Sequence, residues 1–268
     1  MNFAAFQPRG GGDAHLQVRG LELAYGSNVI MRGLDFDVQR GEVFVIMGGS
    51  GCGKSTLLRH LIGLKLTERG EILFDGSDLV GATEEQRARL TRRFGVSFQG
   101  GALWSSMTLG ENIALPMERF MDLPADEIWR RVRLKLSWVG LAGYERYYPS
   151  EISGGMAKRA ALARALSLDP EILFFDEPSA GLDPISSRRL DDLILHLRDV
   201  SGTTVVVVTH ELQSIHSIAD RALFLNARTR TMGGLGTLAD LRAGGDPDVC
   251  AFLNRGGLTD GGDAGGTI

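Results

Sequence analysis

The spacing of apolar residues predicts strands in the first part of the chain. Apolar and polar residues alternate over residues 34–39, which is the pattern of a strand with one buried face. Residues 43–47 form an unbroken apolar run, typical of a strand that is buried on both faces. We therefore predict that residues 16–47 are strands, with a turn at Arg40 and Gly41.

A helix is predicted directly after this strand region. A glycine-rich loop follows residue 47, and Leu57, Leu58, Leu61 and Ile62 then recur at helical spacing. The order strand, glycine loop, helix opens the α/β units that bind nucleotides. The pattern therefore predicts an α/β fold.

The rest of the chain contains short strands, helices and one mainly helical stretch. Residues 100–168 are interrupted by Pro116, Pro124 and Pro149 but are otherwise helical in pattern, for example at 128–139, so we predict a helical subdomain inserted into the α/β chain. Asp183 and Pro184 are typical of the N-cap and first residue of a helix. The other predicted elements are strands at 71–74, 94–98, 172–175 and 203–208 and a helix at 157–168.

Composition narrows the classes of function. The net charge of −4 argues against a protein that works by non-specific DNA binding, and no nucleic-acid partner is expected. Two cysteines are too few for a disulfide framework or a Cys-rich zinc site. No apolar run approaches the roughly 20 residues that cross a bilayer, and we expect no signal peptide because residues 1–12 lack an apolar segment.

Glycine is unusually frequent, at 36 of 268 residues, where an average protein has about 7%. Part of it lies at the two ends. We predict a disordered tail at 1–15 and a C-terminal extension with a glycine-rich tail at 244–268. In the predicted domain at 16–243, glycine indicates positive φ angles or close approach to a ligand.

One glycine cluster has the full pattern of a phosphate-binding loop. Residues 48–55 fit G-x-x-x-x-G-K-[ST] between a predicted strand and a predicted helix. Backbone N–H groups bind the phosphates, the lysine adds a positive charge and the last hydroxyl can bind Mg²⁺. We interpret the cysteine as a spacer and not as a nucleophile. The predicted nucleotide-binding residues here are Gly48, Gly49, Ser50, Gly51, Cys52, Gly53, Lys54, Ser55 and Thr56.

Two carboxylates end the apolar strand at 172–175. In a phosphate-loop enzyme Asp176 would hold Mg²⁺ and Glu177 would be the general base for the attacking water. An Asp-Glu pair is often only a solvated strand end, and the phosphate loop is what favours the catalytic interpretation.

A second glycine motif, Ser153-Gly154-Gly155, precedes an alanine-rich helix and lies shortly before Asp176. Ser153 is a plausible N-cap, and the exposed amides beside it would form a second anion site. With these motifs in this order, residues 16–243 resemble the nucleotide-binding subunits of ABC transporters. The resemblance implies a P-loop NTPase (RecA-like) lobe with an antiparallel β subdomain and an inserted helical subdomain.

The resemblance also implies roles for single residues. Tyr25 would stack on adenine, and Gln99, with Ser55 and Asp176, would hold Mg²⁺ and sense the attacking water and the membrane partner. Asp183 would lie in a loop that communicates across a dimer, and His210 would contact the γ-phosphate beside the base. Tyr25, Gln99 and His210 could each instead be an ordinary residue at a strand end or in a loop.

The second motif departs from the family pattern Leu-Ser-Gly-Gly-Gln at Ile152 and Met156. The methionine removes an amide that could contact ribose or the neighbouring loop. The Ser-Gly-Gly-Met form, together with residues 157–164 and 97–103, resembles the subgroup that energises bacterial phospholipid transport, the Mla/Mce-type systems. The alternative is an ABC transporter for another cargo, such as an amino acid, a lipoprotein or a drug.

The resemblance implies an assembly. Two copies would enclose two ATP molecules, each between the Lys54 loop of one chain and the Ser153 loop of the other. ATP binding and hydrolysis would drive an integral membrane permease at the cytoplasmic face of the bacterial inner membrane, with further lipid-transport subunits as possible partners. We expect the apolar segment that follows Gln99, up to Leu115, to contact the permease.

Other nucleotide-binding classes fit less well. The chain has no guanine-reading Asn-Lys-x-Asp segment of a regulatory GTPase, and it is too short for the heptads of a chromosome or repair ATPase. It has one cassette where a translation factor of this family has two. It retains both Lys54 and Glu177, one of which a non-catalytic binding module would typically have lost.

Overall fold

The fold is given by a computed structural model, which describes residues 14–26 and 28–254. Of the predicted tail at 1–15 and the predicted extension and tail at 244–268, residues 1–13 and 255–268 lie outside the described residues. In chain order the elements are β1 (Ala14–Tyr25), β2 (Asn28–Gln39), β3 (Val43–Gly48), α1 (Lys54–Leu61), β4 (Glu71–Phe74), β5 (Ser77–Asp78), α2 (Glu84–Thr91), β6 (Phe94–Ser97), α3 (Leu109–Phe120), α4 (Ala125–Trp138), a 3₁₀ turn (Pro149–Glu151), α5 (Gly154–Ala165), β7 (Ile172–Asp176), α6 (Pro184–Ser201), β8 (Thr204–Val208), α7 (Leu212–Ile218), β9 (Arg221–Asn226), β10 (Thr231–Gly236), α8 (Leu238–Ala243) and α9 (Pro247–Leu253).

The strands form two sheets. The larger sheet has the strand order β10-β9-β3-β8-β7-β6. Every pair of adjacent strands in it is parallel except β10 and β9, which are antiparallel. The smaller sheet, β2-β1-β4-β5, is antiparallel. Helices α3, α4 and α5 lie between β6 and β7 in the chain. The predicted α/β fold, with an antiparallel β subdomain and inserted helices, is confirmed.

The central strands are apolar throughout because the larger sheet is covered on both faces. In β3, Val43 and Val45 pack into a core shared with helices α3 to α7. Phe44 and Ile46 point the other way, into a core shared with the antiparallel sheet and α1. A slip of one residue would exchange these two sets, so the packing fixes the strand register and the positions of the loops that follow.

Several boundaries differ from the predictions, for physical reasons. Helix α5 begins at Gly154 and not at 157, because the Ser153 hydroxyl accepts the Met156 N–H at 3.3 Å and caps the helix one turn earlier. Pro116 does not end a helix but lies inside α3. Apolar spacing does not predict α2, because none of its residues is buried.

The ends of the described chain belong to the fold. Strand β1 begins at Ala14, within the segment predicted as a tail, and α9 packs through Phe252 on Phe224 with ring centroids 5.4 Å apart. The domain boundaries themselves stay a prediction. Within residues 14–26 and 28–254, no helix is both long enough and apolar enough to cross a bilayer.

A buried histidine connects the two sheets at the amino ends of β7 and β8. His15 is 1% exposed, and its Nδ1 lies 2.7 Å from the Thr204 hydroxyl. That hydroxyl also accepts the Gly41 N–H at 2.8 Å, so its own proton is directed to Nδ1. The ring proton of His15 is therefore on Nε2.

The surroundings of His15 disfavour a second ring proton. Its Nε2 faces the carboxylates of Glu171 at 3.8 Å and Asp75 at 4.0 Å. Burial, and then the Arg40 guanidinium, outweigh this attraction and lower the pKa of His15 from 6.5 to about 4. Folding is therefore opposed by protonation at this position.

We expect His15→Gln to reduce the acid sensitivity of the fold. Because the pKa of His15 is depressed on folding, its contribution is complete above pH 6.5 and is lost as the pH falls towards 4. Relative to the variant, the wild-type free energy of unfolding should fall by at most about 3 kcal/mol over this range. Urea unfolding at a series of pH values measures the difference.

The wild type must be compared with His15→Gln because another buried group titrates in the same pH range and changes the free energy of unfolding in the opposite direction. Burial raises the pKa of Asp191 to about 6, so its contribution is lost as the pH rises through 6. This term is common to the wild type and His15→Gln and cancels in the difference. A difference that does not change with pH would contradict the role of His15.

Candidate nucleotide-binding site

The loop after β3 has a shape that requires glycine. Gly48 has φ 149°, and a Cβ there would lie 2.6 Å from the Leu225 carbonyl oxygen and 2.8 Å from Cys52 Sγ. Gly53 has φ 98° and begins α1, and its Cβ would lie 2.9 Å from a methyl group of Ile30. Cβ atoms at Gly49 and Gly51 would meet nothing within 4 Å, so the outer side of the loop is open. The loop is therefore closed beneath and accessible above, as a phosphate cradle needs to be.

Two side chains of the loop face inward. Cys52 is 2% exposed and burial raises the pKa of its thiol, which suits a packing spacer and not a nucleophile. Lys54 is also buried, and its Nζ donates to the carbonyl oxygens of Gly48 at 3.0 Å and Gly49 at 3.1 Å. The ammonium group is thus held across the loop by neutral acceptors that an anion can replace.

A pair of oxygen ligands lies beside the loop. The Ser55 hydroxyl donates to Oδ1 of Asp176, the last residue of β7, at 3.0 Å. Burial raises the pKa of Asp176, and the hydrogen bond from Ser55 opposes that effect. A hydroxyl and a carboxylate are ligands that Mg²⁺ prefers, so this pair fits the predicted metal site.

The next residue, Glu177, is held in an uncommon conformation. Its φ is 49°, and its N–H donates to the Val208 carbonyl oxygen at 2.8 Å, which ties the end of β7 to the end of β8. His210 Nδ1 lies 2.7 Å from Glu177 Oε1, and the His210 N–H donates to Oε2 at 3.4 Å. The carboxylate is therefore fixed at the site by both the ring and the backbone of His210.

Lys54, Ser55, Glu177 and His210 line a cavity of about 560 Å³, and Asp176 reaches it through its hydrogen bond with Ser55 without being one of the lining residues. Its lining residues are Asn28, Ile30, Ser50, Gly51, Gly53, Lys54, Ser55, Thr56, Gln99, Glu177 and His210. All but Asn28 and Ile30 were predicted from sequence. Asn28 pairs with Tyr25 in the hairpin of β1 and β2, and no sequence pattern indicates that it lines the cavity.

Tyr25 lies in a neighbouring groove and not in this cavity. Its ring is about half exposed, and the Lys65 ammonium lies 3.0 Å from the ring centroid. Hydrogen bonds from Thr56 and then Arg59 lower the pKa of its hydroxyl and tether it to α1. One ring face is thus covered by a cation, and a base would stack on the other face.

The Ser153 loop and Asp183 lie apart from the cavity. Among its lining residues none comes from 153–155 or 180–183. Ser153 and Gly154 are exposed at the start of α5, and a Cβ at Gly155 would lie 3.9 Å from both Leu182 and Ser186. Asp183 caps α6, accepting the N–H groups of Ile185 and Ser186 at 3.0 Å. The Ser153 loop is therefore a surface separate from the cavity, and roles of Ser153, Gly154, Gly155 and Asp183 in nucleotide binding stay predictions.

Comparison with known proteins agrees with this geometry. Residues 31–180 match the family described as ABC transporter. The chain is 41% identical over 239 residues to the "Probable ribonucleotide transport ATP-binding protein mkl" of Mycobacterium leprae, covering 89% of this chain and 68% of that protein. It is 39% identical over 246 residues to the "Intermembrane phospholipid transport system ATP-binding protein MlaF" of Escherichia coli, covering 92% and 90%.

A solved structure has a similar fold. It is the "Dimeric structure of a post-hydrolysis state of the ATP-binding cassette MJ0796 bound to ADP and Pi", with a TM-score of 0.75 and 26% sequence identity. The match covers 83% of this chain and 98% of that one.

We expect Glu177→Gln to bind ATP but hydrolyse it about 10²–10⁴ times more slowly, because the amide cannot accept a proton from water. The amide oxygen can still accept from His210, so the site should keep its shape. Phosphate release gives the rate, and titration with a fluorescent ATP analogue gives the affinity. Glu211→Gln, at a nearby carboxylate that does not line the cavity, is the matched control. Wild-type turnover by Glu177→Gln would remove this residue from the role of base.

Proposed function

The chain belongs to the ABC transporter family, and from that premise we propose that it is the ATP-hydrolysing subunit of a bacterial phospholipid transporter. The observation that carries the cargo assignment is the similarity to MlaF, which extends over 92% of this chain and 90% of that protein. The match to mkl covers a smaller share, 68%, of that relative. The Ser-Gly-Gly-Met motif also favours the phospholipid subgroup over amino-acid, lipoprotein or drug systems.

The residues at the cavity fit ATP and Mg²⁺. Lys54 would exchange its two loop carbonyls for phosphate oxygens, and the open backbone of Gly49 and Gly51 would face the same phosphates. Ser55, Asp176 and Gln99 would hold Mg²⁺, which when bound neutralises charge on the phosphate oxygens. Gln99 lines the same cavity as Ser55, and Asp176 accepts the Ser55 hydroxyl, which supports a shared ion.

Glu177 would activate the attacking water. Its carboxylate is buried, faces the cavity and is oriented by His210. It would accept the proton of the attacking water, while His210, whose side chain is 58% exposed, would remain accessible to the terminal phosphate.

We further propose that two copies complete each other's sites. The Ser153 loop is exposed, begins a helix and lies outside the Lys54 cavity, so its amides are available to a nucleotide held by another chain. The similar cassette structure, which is described as dimeric, supports this arrangement.

Mixed dimers test the shared site. Lys54→Ala damages one half of a site and Ser153→Arg the other half. A dimer with one copy of each should keep one intact site, and its ATPase activity should exceed that of either homodimer. The two chains would carry different tags, and only the doubly tagged dimer would be assayed.

The matched control pairs Lys54→Ala with Glu177→Gln. Both changes lie in the half of the site that contains Lys54. Each chain therefore contributes one damaged half, neither site of that dimer is intact, and activity should not return. Equal activity of the two kinds of mixed dimer would contradict a site shared between chains.

The segment after Gln99 presents an exposed tryptophan on a fixed loop. Trp104 is 58% exposed, whereas Leu109 and Ile113 of the same predicted surface are fully buried in the core. Asn112 is buried, and its Oδ1 accepts the Trp104 N–H at 2.8 Å. Its amide N–H₂ group lies 2.9–3.1 Å from three carbonyl oxygens of residues 104, 107 and 108. We propose that this loop contacts the permease at the cytoplasmic face of the inner membrane.

Purification from membranes tests both the partner and the cargo. We expect the tagged wild-type chain to bring down an integral membrane protein together with enriched phospholipid. Trp104→Glu should lose most of this partner while the isolated subunit still binds nucleotide. Trp138→Glu, at another exposed tryptophan, should retain it.

The outcomes separate the two parts of the proposal. Full recovery of the partner by Trp104→Glu would contradict the contact surface. Recovery of a membrane partner without phospholipid enrichment, and with binding of another solute, would contradict the cargo assignment.

A further inference from the structure

The backbone that follows β6 makes a sharp turn at the site. The Gly101 N–H donates to the Phe98 carbonyl oxygen at 2.7 Å, and Gly101 and Ala102 have φ angles of 71° and 49°. A positive φ is unfavourable for alanine, so contacts outside the turn must stabilise it. Gln99, which lines the nucleotide cavity, is the second residue after the end of β6.

Those contacts come from one helix. Lys158 Nζ donates to the carbonyl oxygen of Gln99. Arg164 Nη2 donates to the Gly101 carbonyl at 3.0 Å and Nη1 to the Ala102 carbonyl at 2.6 Å. Both cations belong to α5, the helix that Ser153 caps. A Cβ at Gly101 would lie 3.4 Å from that of Ala161, so the turn also packs directly on α5.

The cations are partly desolvated where they make these bonds. Burial lowers the pKa of Lys158, and the nearby Glu177 carboxylate opposes that shift. Burial likewise lowers the pKa of Arg164. Hydrogen bonds from charged donors in such surroundings are stronger than those between neutral groups.

We infer that Lys158 is a positioning residue, which fixes Gln99 to α5 so that the Ser153 loop and Gln99 move together. The inference rests on the proposed function. If the Ser153 loop contacts ATP held by a second copy, a movement of α5 towards that nucleotide is transmitted through Lys158 to the Mg²⁺ ligand of the chain's own site. The link runs through a backbone carbonyl and leaves the Gln99 side chain free for the metal.

Hydrogen exchange tests the mechanical part without requiring activity. In Lys158→Met, amides of residues 98–104 should exchange about tenfold faster, because one charge-assisted bond that holds the turn is lost. Lys158→Arg should restore protection. Arg159→Met is the matched control, because Arg159 is the next residue of α5 but donates to the carbonyls of Val139 at 2.9 Å and Gly140 at 3.3 Å. It should loosen that region and leave 98–104 unchanged.

ATPase assays of the intact transporter test the functional part. Lys158→Met should lower kcat about tenfold and raise the Mg²⁺ concentration for half-maximal activity, with unchanged affinity for ATP in the absence of Mg²⁺. Gln99→Ala should have the same two effects. The double variant should be no worse than Gln99→Ala alone, since the two residues act in series. Arg159→Met should lower thermal stability without changing the Mg²⁺ dependence.

The results distinguish this inference from the proposed function. Unchanged exchange at 98–104 in Lys158→Met, or losses in Lys158→Met and Gln99→Ala that add independently, would overturn the role of Lys158. Absence of ATPase activity in the wild-type transporter would instead reject the proposed function, and the exchange experiment would still decide whether Lys158 holds the turn.

Discussion

Burial of the parallel sheet on both faces is the constraint on which the site depends. Side chains of β3, β7 and β8 alternate between two separate cores, so the strands cannot shift along one another without exposing apolar residues. Because β3, β6, β7 and β8 are parallel, their carboxyl ends lie at one edge. The phosphate loop, Gln99, the Asp176-Glu177 pair and His210 all lie at or just after those ends and so converge there.

Hydrogen bonds to backbone carbonyls organise the charges at this edge. Lys54 is held by the carbonyls of its own loop, and Lys158 and Arg164 hold the turn after β6. The carboxylate of Glu177, by contrast, is held by His210. Lys54 is thus held by neutral acceptors, which an incoming phosphate can displace, whereas Lys158 and Arg164 lie outside the cavity lining and keep the turn in place. The positive charge of Lys54 therefore stays available to a phosphate.

Helix α5 connects the exposed Ser153 loop with the turn that carries Gln99. Its first turn carries the exposed Ser153 loop, and Lys158 and Arg164, farther along the helix, hold the turn that carries Gln99. Its alanines pack in the core with the inserted helices. A surface outside the cavity is in this way joined to a residue inside it by a rigid element, which is what coordination of two nucleotide sites would need.

The sequence by itself determined the parts of the protein whose chemistry lies in contiguous residues. The phosphate loop, the Asp176-Glu177 pair at a strand end and the Ser153 cap each depend on near neighbours in the chain, so local patterns predict them. The alternation and apolar runs that predict the strands are equally local. Only the tertiary structure decided which distant residues meet these motifs: Asn28 and Ile30 in the cavity wall, Lys65 over the Tyr25 ring, and Lys158 on the Gln99 carbonyl. The physical reason is that a lysine side chain or a cavity-lining residue has no local signature, because its role is set by strand pairing and helix packing between segments far apart in the chain.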